Sequence, residues 1–380
     1  MGHFIFNDTH DTLRAEIRRY VERELAPHAE AWEEAEYFPD SVFWEMGRLG
    51  YLGLRYPEEY GGSGLDYYSA IVLAEEMSRA LNGGIGMAVA VHTEMATPPI
   101  LKFGTEEQKK RFLVPAIKGK KIAALAITEP GAGSDVSGIR TRAVRDGNDW
   151  VINGSKIYIT NGMRADFYVV VTRTSDDQWG GLTLFLVEKN APGFSVGRKL
   201  KKLGMHSSDT AELFFENVRV PDANRLGDEG QGFYNIMWEL QGERLIGAAA
   251  AVAGAERSLE MAMAYADQRE AFGRKIGKFQ VIRHKLAQMA TEIEAAKSLV
   301  YTCAWRWEQG DYAVKEISMA KLFASEVACR VADEALQIHG GAGYMMEYPV
   351  QRAWRDARLL RIGAGTDEIM REIIAKQMGF

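Results

Sequence analysis

The chain has 380 residues, 47% hydrophobic and 26% charged, with 46 Lys and Arg against 52 Asp and Glu for a formal charge of −6. That length suits about two or three domains at ~150 residues each, in a chain of ordinary globular composition. The mild acidic excess excludes the dense cationic face of a nucleic-acid binder. The spacing of the two cysteines, Cys303 and Cys329, excludes a disulfide framework or zinc cluster, so no metal site is expected.

The first residues, with His3, Asn7 and Asp8, show no basic segment followed by an apolar core. A cytoplasmic protein without an export signal is therefore expected. From residue 8 to about 120 the apolar period is helical, as in Leu13, Ile17, Tyr20, Val21 and Leu25. Pro57, Gly61 and Gly62 mark the clearest turn.

Between about 122 and 226 the texture is β. Trp150-Val151-Ile152, then Asn153-Gly154, then Lys156-Ile157-Tyr158-Ile159 reads as a tight hairpin, because Asn-Gly supplies the two φ > 0 positions of a type I′ turn. Residues 167–172, 182–188 and 211–215 are further β-rich runs, which a small antiparallel barrel would close. From about 230 the helical period returns, over 245–269 and 280–308. The nearly uncharged run 245–255 is far short of the ~20 residues of a membrane span. Gly340, Gly341 and Gly343 interrupt the pattern, and a last helix follows Thr366. The expected fold is α+β, mainly α. Residues 1–121 form an N-terminal helical domain, 122–230 an antiparallel β-barrel and 231–380 a C-terminal four-helix bundle.

Five motifs spread over the chain carry more than texture. They are Ile127-Thr128-Glu129-Pro130-Gly131-Ala132-Gly133-Ser134-Asp135, Lys156-Ile157-Tyr158-Ile159-Thr160-Asn161-Gly162, Arg269-Glu270-Ala271-Phe272-Gly273, Gln337-Ile338-His339-Gly340-Gly341 and Gly363-Ala364-Gly365-Thr366. In this order they resemble the acyl-CoA dehydrogenase family. The resemblance implies FAD as cofactor, an acyl-CoA substrate and an electron-transfer flavoprotein as partner. It also implies a homotetramer, because cofactor contacts come from two chains.

The small residues of 128–134 let backbone N–H groups approach a flat ring or a pyrophosphate. By resemblance, Ile127, Thr128, Gly133 and Ser134 border the flavin, with Ser134 also near the substrate. Tyr158 and Thr160, two apart on a strand, face one side. The resemblance packs the aromatic ring on the isoalloxazine, with Tyr here where many relatives carry Trp, and bonds the Thr hydroxyl near N5. Arg269 and Phe272, three apart at a helix end, share a face, and a guanidinium fork suits a diphosphate. The resemblance brings them, with Gln280, Gln337 and Gly341, from a neighbouring subunit to the adenosine side. Thr366 and Glu368 open the last helix, where N–H groups would meet the diphosphate of the chain's own FAD.

Loss of a poorly acidic α-proton needs a carboxylate in a dry pocket and a hydrogen-bonded thioester carbonyl. Many relatives carry that Glu directly before the Gly-Thr of the last motif, where this chain has Ala364. The segment Glu239-Leu240-Gln241-Gly242-Glu243-Arg244-Leu245 resembles the helix that supplies the base in the isovaleryl-CoA and long-chain branches, which carry a small residue at the other position. Glu243 is the expected base, and Glu239, one turn earlier, the alternative. Burial should raise the base's pKa toward neutrality. Ala364 would offer its N–H to the thioester oxygen, Arg244 would line the site or reach toward CoA, and Gly363 would leave room for a branched acyl group. Residues 86–96, with Met87, Val91, His92 and Met95, would set pocket depth, although His92 reads equally as a core histidine. Other readings are an acyl-CoA oxidase or flavin monooxygenase on the same scaffold, or a non-catalytic binding scaffold.

Overall fold

The computed structural model describes residues 4–380, so His3 lies outside the described residues. Helix Asp8–Tyr20 starts at Asn7, whose side chain accepts from the N–H groups of Thr9 and His10 while His10 returns a bond to Asn7 N–H. Its apolar stripe, with Ile17, Tyr20, Val21 and Leu25, is buried against Phe38, Phe43, Met46 and Val72. The N-terminal region is helical through Val114–Ile117. Within it, helix Gly83–Ala90 widens into a π-type turn at Val91–Ala96, a local irregularity often found at functional sites.

Eight strands follow: β1 (Ala123–Ala126), β2 (Arg142–Asp146), β3 (Asp149–Thr160), β4 (Phe167–Arg173), β5 (Leu182–Glu188), β6 (Phe194–Lys199), β7 (Thr210–Pro221) and β8 (Arg225–Leu226). They pair in the order β6-β7-β3-β2-β4-β5-β8, with β1 parallel to β4. This path has two ends, β6 and β8, so the closed barrel expected from the sequence is not made by the strand pairing. In β4 and β5 successive residues serve two cores. Tyr168, Val170, Phe185 and Val187 pack with Trp150 and Phe215. Phe167, Val169, Val171, Leu184 and Leu186 pack with Phe112, Ile236 and Leu240. Burial on both faces explains why these runs are continuously apolar.

The hairpin expected at Asn153-Gly154 is also corrected. Both residues lie inside the 12-residue strand β3, at a register shift against β7 between Ile152 and Gly154. Gly154 takes φ +147°, and a Cβ there would meet Thr141 Oγ1 at 2.6 Å. Asn-Gly here makes a bulge that bends a long strand. The true turn is at Gly147-Asn148, joining Asp146 to Asp149.

The C-terminal region is built on helices Gly232–Gln268, Gln280–Glu308 and Val314–His339, with Asp367–Gln377 against the third. The first of these starts 13 residues earlier than the sequence period suggested. Its opening turns, with Ile236 and Leu240, pack on the sheet's outer core, while Leu245 to Ala266 belong to the helical core. Residue 243 sits at the change-over. Among the described residues, no helix is long and apolar enough to cross a membrane.

Candidate active site

Glu239 and Glu243 are one turn apart on helix Gly232–Gln268 and share a face. Glu239 is 2% exposed, and among the described residues neither of its carboxyl oxygens accepts from a cation, an amide or a hydroxyl. Glu243 is half-buried. Burial pushes its carboxyl up to about 7, against the pull of Arg244 and Lys321, and the two carboxyls act on each other. Glu239 is raised well above the usual carboxylate range, first by burial and then by the charge of Glu243.

The next residue of this helix, Arg244, reaches the turn before the last helix. Ala364 has φ +56° and Gly365 φ +103°. A non-glycine residue in this region is strained unless its surroundings hold it. Two cations do so: Arg244 Nε donates to the Ala364 carbonyl at 3.0 Å, and Lys321 Nζ donates to the Gly365 carbonyl. Burial lowers the Lys321 ammonium to about 8 despite the nearby Asp367 carboxylate. With the carbonyls turned to these cations, the Ala364 N–H meets no acceptor among the described residues. Thr366 is the N-cap of Asp367–Gln377, its Oγ1 accepting from Ile369 N–H at 3.4 Å, and Glu368 is exposed in the first turn. Gly363 is exposed beside the turn.

The N-terminal region closes the other side. Tyr67 Oη donates to the Gly242 carbonyl at 3.2 Å, and the Arg55 guanidinium lies over the Tyr67 ring at 4.8 Å. Arg55 pairs with Glu94, which is carried on the Val91–Ala96 turn. Tyr312 Oη donates to the Met237 carbonyl at 2.9 Å. Of the residues expected to set pocket depth, Val91 and Met95 are buried and Met87 is half-buried. His92 takes the core role: its Nδ1 accepts from Ala123 N–H at 3.0 Å and its Nε2 donates to the Ala116 carbonyl at 3.0 Å. Burial lowers its pKa to about 4, so it is neutral.

The motif loops of the middle region meet around Lys156. Its side chain is fully buried, and Nζ lies 2.8 Å from both the Ile127 carbonyl and Glu129 Oε1. Glu129 in turn accepts from the N–H groups of Arg140 and Thr141 at 2.7 and 2.9 Å, and Ile157 N–H donates to the Thr128 carbonyl. Ile127 and Thr128 are thereby tied to the strand that bears Tyr158 and Thr160. Tyr158 has φ +63° at a second irregularity in the β3–β7 register, and its ring is 66% exposed. Ser134 is exposed, and a Cβ on Gly131 or Gly133 would meet nothing within 4 Å. An outward aromatic ring beside an open, small-residue loop fits a flat ligand with an anionic tail.

Arg269 and Phe272 are not on one helix face, as the sequence suggested. Arg269 is the residue just past the helix end, and Phe272, 95% exposed, tips a two-stranded hairpin with Gly273. The φ values of Phe272 and Gly273, +51° and +76°, are those of a tight turn, which the spacing argument overlooked. Gln280 begins the next helix. Gln337 is in the last turn of Val314–His339, and Gly341 lies just beyond it. These are exposed. No hydrogen bond or ion pair among the described residues joins them to the 127–134 loop.

Residues 7–120, 124–218 and 230–379 match, respectively, the N-terminal, middle and C-terminal domains of acyl-CoA dehydrogenases. The chain belongs to the acyl-CoA dehydrogenase family. It is an oxidoreductase of that family. An acyl-CoA dehydrogenase of Bacillus subtilis is 46% identical over 96% of this chain and 97% of its own length. The mitochondrial long-chain specific acyl-CoA dehydrogenase of Sus scrofa is 43% identical over 98% of this chain and 87% of its own. The crystal structure of an acyl-CoA dehydrogenase from Geobacillus kaustophilus superposes with a TM-score of 0.97 at 42% identity, covering both chains fully.

Sequence reasoning gave no role to Lys321, Tyr67 or the Lys156–Glu129 pair. For Lys321 a signal existed: it interrupts the buried stripe Ile317, Ala324 and Ala328 at helical spacing. A lone lysine on an apolar face asks for an acceptor at its tip.

Proposed function

We propose that this chain removes the α and β hydrogens of an acyl-CoA thioester to give the trans-2-enoyl-CoA, with Glu243 as the base. The supporting observation is a carboxyl raised to about 7 on the residue next to Arg244, which holds the Ala364 turn, the position where many relatives carry the acid. Bound FAD would supply the acceptor for the Cβ hydride. Ile127, Thr128, Gly133, Ser134, Tyr158 and Thr160 would hold its flavin end, with Thr366 and Glu368 at the diphosphate. Arg269, Phe272, Gln280, Gln337 and Gly341 would reach a neighbouring subunit's cofactor, so the assembly proposed is a homotetramer. An electron-transfer flavoprotein would receive the electrons. The reading carries a division of the chain into residues 1–121, 122–230 and 231–380.

Glu243 accepts the Cα proton on a carboxylate oxygen, and a pKa near the working pH is the best compromise between ionisation and basicity. As charge develops on the thioester oxygen, the Ala364 N–H donates to it. Arg244 and Lys321 hold that N–H in place by fixing the two carbonyls of the turn. Ser134 would lie beside the substrate, and Gly363 leaves space near the reacting carbons for a branch.

Glu243→Gln tests the reading. The holoenzyme should keep its FAD while turnover falls by about 10²–10⁴-fold, the usual weight of a positioned base. In the parent, kcat/KM should rise with pH through a midpoint near 7, because only the ionised carboxylate accepts a proton. A variant with more than a tenth of the parental turnover would move the role to another acid.

A further inference from the structure

Six glutamates are buried among the described residues: Glu33, Glu75, Glu76, Glu94, Glu129 and Glu239. Five have partners. Glu33 accepts from Ser207 N–H, Glu75 from Tyr301 and Arg14, and Glu76 from Arg18 and Arg79. Glu94 pairs with Arg55, and Glu129 with Lys156. Glu239 has no cation, amide or hydroxyl on either oxygen among the described residues, and the side chain that acts on it by hydrogen bonding is the Glu243 carboxyl.

The groups around Glu239 explain how it persists. On its own helix are Glu243 and Arg244, and Glu94 acts on it from the Val91–Ala96 turn. Tyr67 anchors the helix from one side and Tyr312 from the other. Lys321 acts on Glu243 and is shared with Asp367. Arg55 is taken by Glu94, while Arg244 and Lys321 donate to the Ala364 and Gly365 carbonyls. An ionised Glu239 beside an ionised Glu243 would be a second buried anion without a cation of its own.

We propose that Glu239 stands in the resting enzyme as a neutral carboxylic acid whose O–H is offered to Glu243, making it a positioning residue that keeps the base ionised and aimed at the Ala364 turn. This rests on the assignment of Glu243 as the base. The resting pair holds one proton and one negative charge. The substrate's α-proton brings it to two protons and no charge, and release of one proton to solvent restores it.

Two variants of the holoenzyme and one spectrum test this. In Glu239→Gln the amide is neutral and still donates, so the rising limb of kcat/KM against pH should stay within about half a unit of the parent. In Glu239→Leu the donor is lost, and the limb should move up by roughly one unit, a tenfold loss of kcat/KM below it. The infrared difference between parent and Glu239→Gln at pH 8 should contain a protonated-carboxyl band. A limb that moves down in both variants would mean that Glu239 is ionised, and a limb unmoved in both would mean that it does not act on Glu243. Either overturns the proposal, as does absence of the infrared band, which also decides the matter if the Leu variant does not fold. Abolished turnover in Glu239→Gln, with Glu243→Gln still active, would instead overturn the assignment of the base.

Discussion

Lys156→Met should loosen the 127–141 segment without disturbing the core around the lysine stem. Methionine keeps most of the stem's packing and removes the three-donor head. What is lost is the ammonium between the Ile127 carbonyl and Glu129, each at 2.8 Å. Breaking a buried ion pair by removing one partner costs about 3–5 kcal/mol. Glu129 keeps two backbone donors, from Arg140 and Thr141, which places the cost at the lower end, about 3 kcal/mol. At ~1.4 kcal/mol per decade, local opening becomes roughly 100-fold more frequent. Hydrogen exchange read by mass spectrometry on peptides spanning residues 127–141 should lose about two decades of protection, and the holoenzyme should release FAD more readily. Adding Glu129→Gln removes the stranded carboxylate and should recover part of the loss. Protection changed by less than about fivefold, or a double variant looser than the single one, would refute the view that this pair holds the loop to β3.

Arg244→Lys should lower kcat by about 10–100-fold with KM little changed, since a lysine lacks the Nε donor that fixes the Ala364 carbonyl and small misplacements in a reacting site are costly. A rise in KM alone would instead place Arg244 in contact with the substrate. His92→Leu leaves the Ala123 N–H unpaired in the core, while the Ala116 carbonyl keeps the Gly119 N–H at 2.8 Å, and should cost about 2 kcal/mol. The parent should also lose stability as pH falls from about 6.5 to 4. In that window the unfolded chain takes up a proton at residue 92 while burial keeps the folded histidine neutral. His92→Leu should flatten that part of a plot of thermal midpoint against pH, and an unchanged slope would contradict the reading.

The contrast between what the sequence disclosed and what it concealed follows from the range of the interactions involved. Helix Gln280–Glu308 and the Thr366 N-cap were legible to the residue, because period and capping are local. Asn153-Gly154 misled because the dipeptide states only that a positive φ is affordable there. Whether the chain reverses or bulges depends on β7, some 60 residues away, whose pairing carries β3 straight past Gly154. Barrel closure failed as an expectation for the same reason, being a property of the two end strands and not of any one run. Phe272 was placed on a helix face because spacing alone does not reveal where a helix stops, and it stops at Gln268.

The candidate site divides along the same line. That Ala364 cannot accept a proton and that Glu243 can are facts of residue type, open to anyone reading the chain. That Arg244 and Lys321 grip adjacent carbonyls of one strained turn is a fact of packing, between helices whose contact residues are 120 and 44 positions from the turn. The arrangement gives the missing acid at 364 a physical meaning. Once the turn's side chain no longer takes the proton, both of its carbonyls are free to serve as handles. The cations that hold them, acting on Glu243 from the same positions, keep a buried carboxyl from rising beyond about 7. On the proposed assignment of Glu243 as the base, the turn keeps one task, presenting the Ala364 N–H, and the charges that would secure that task also act on the base.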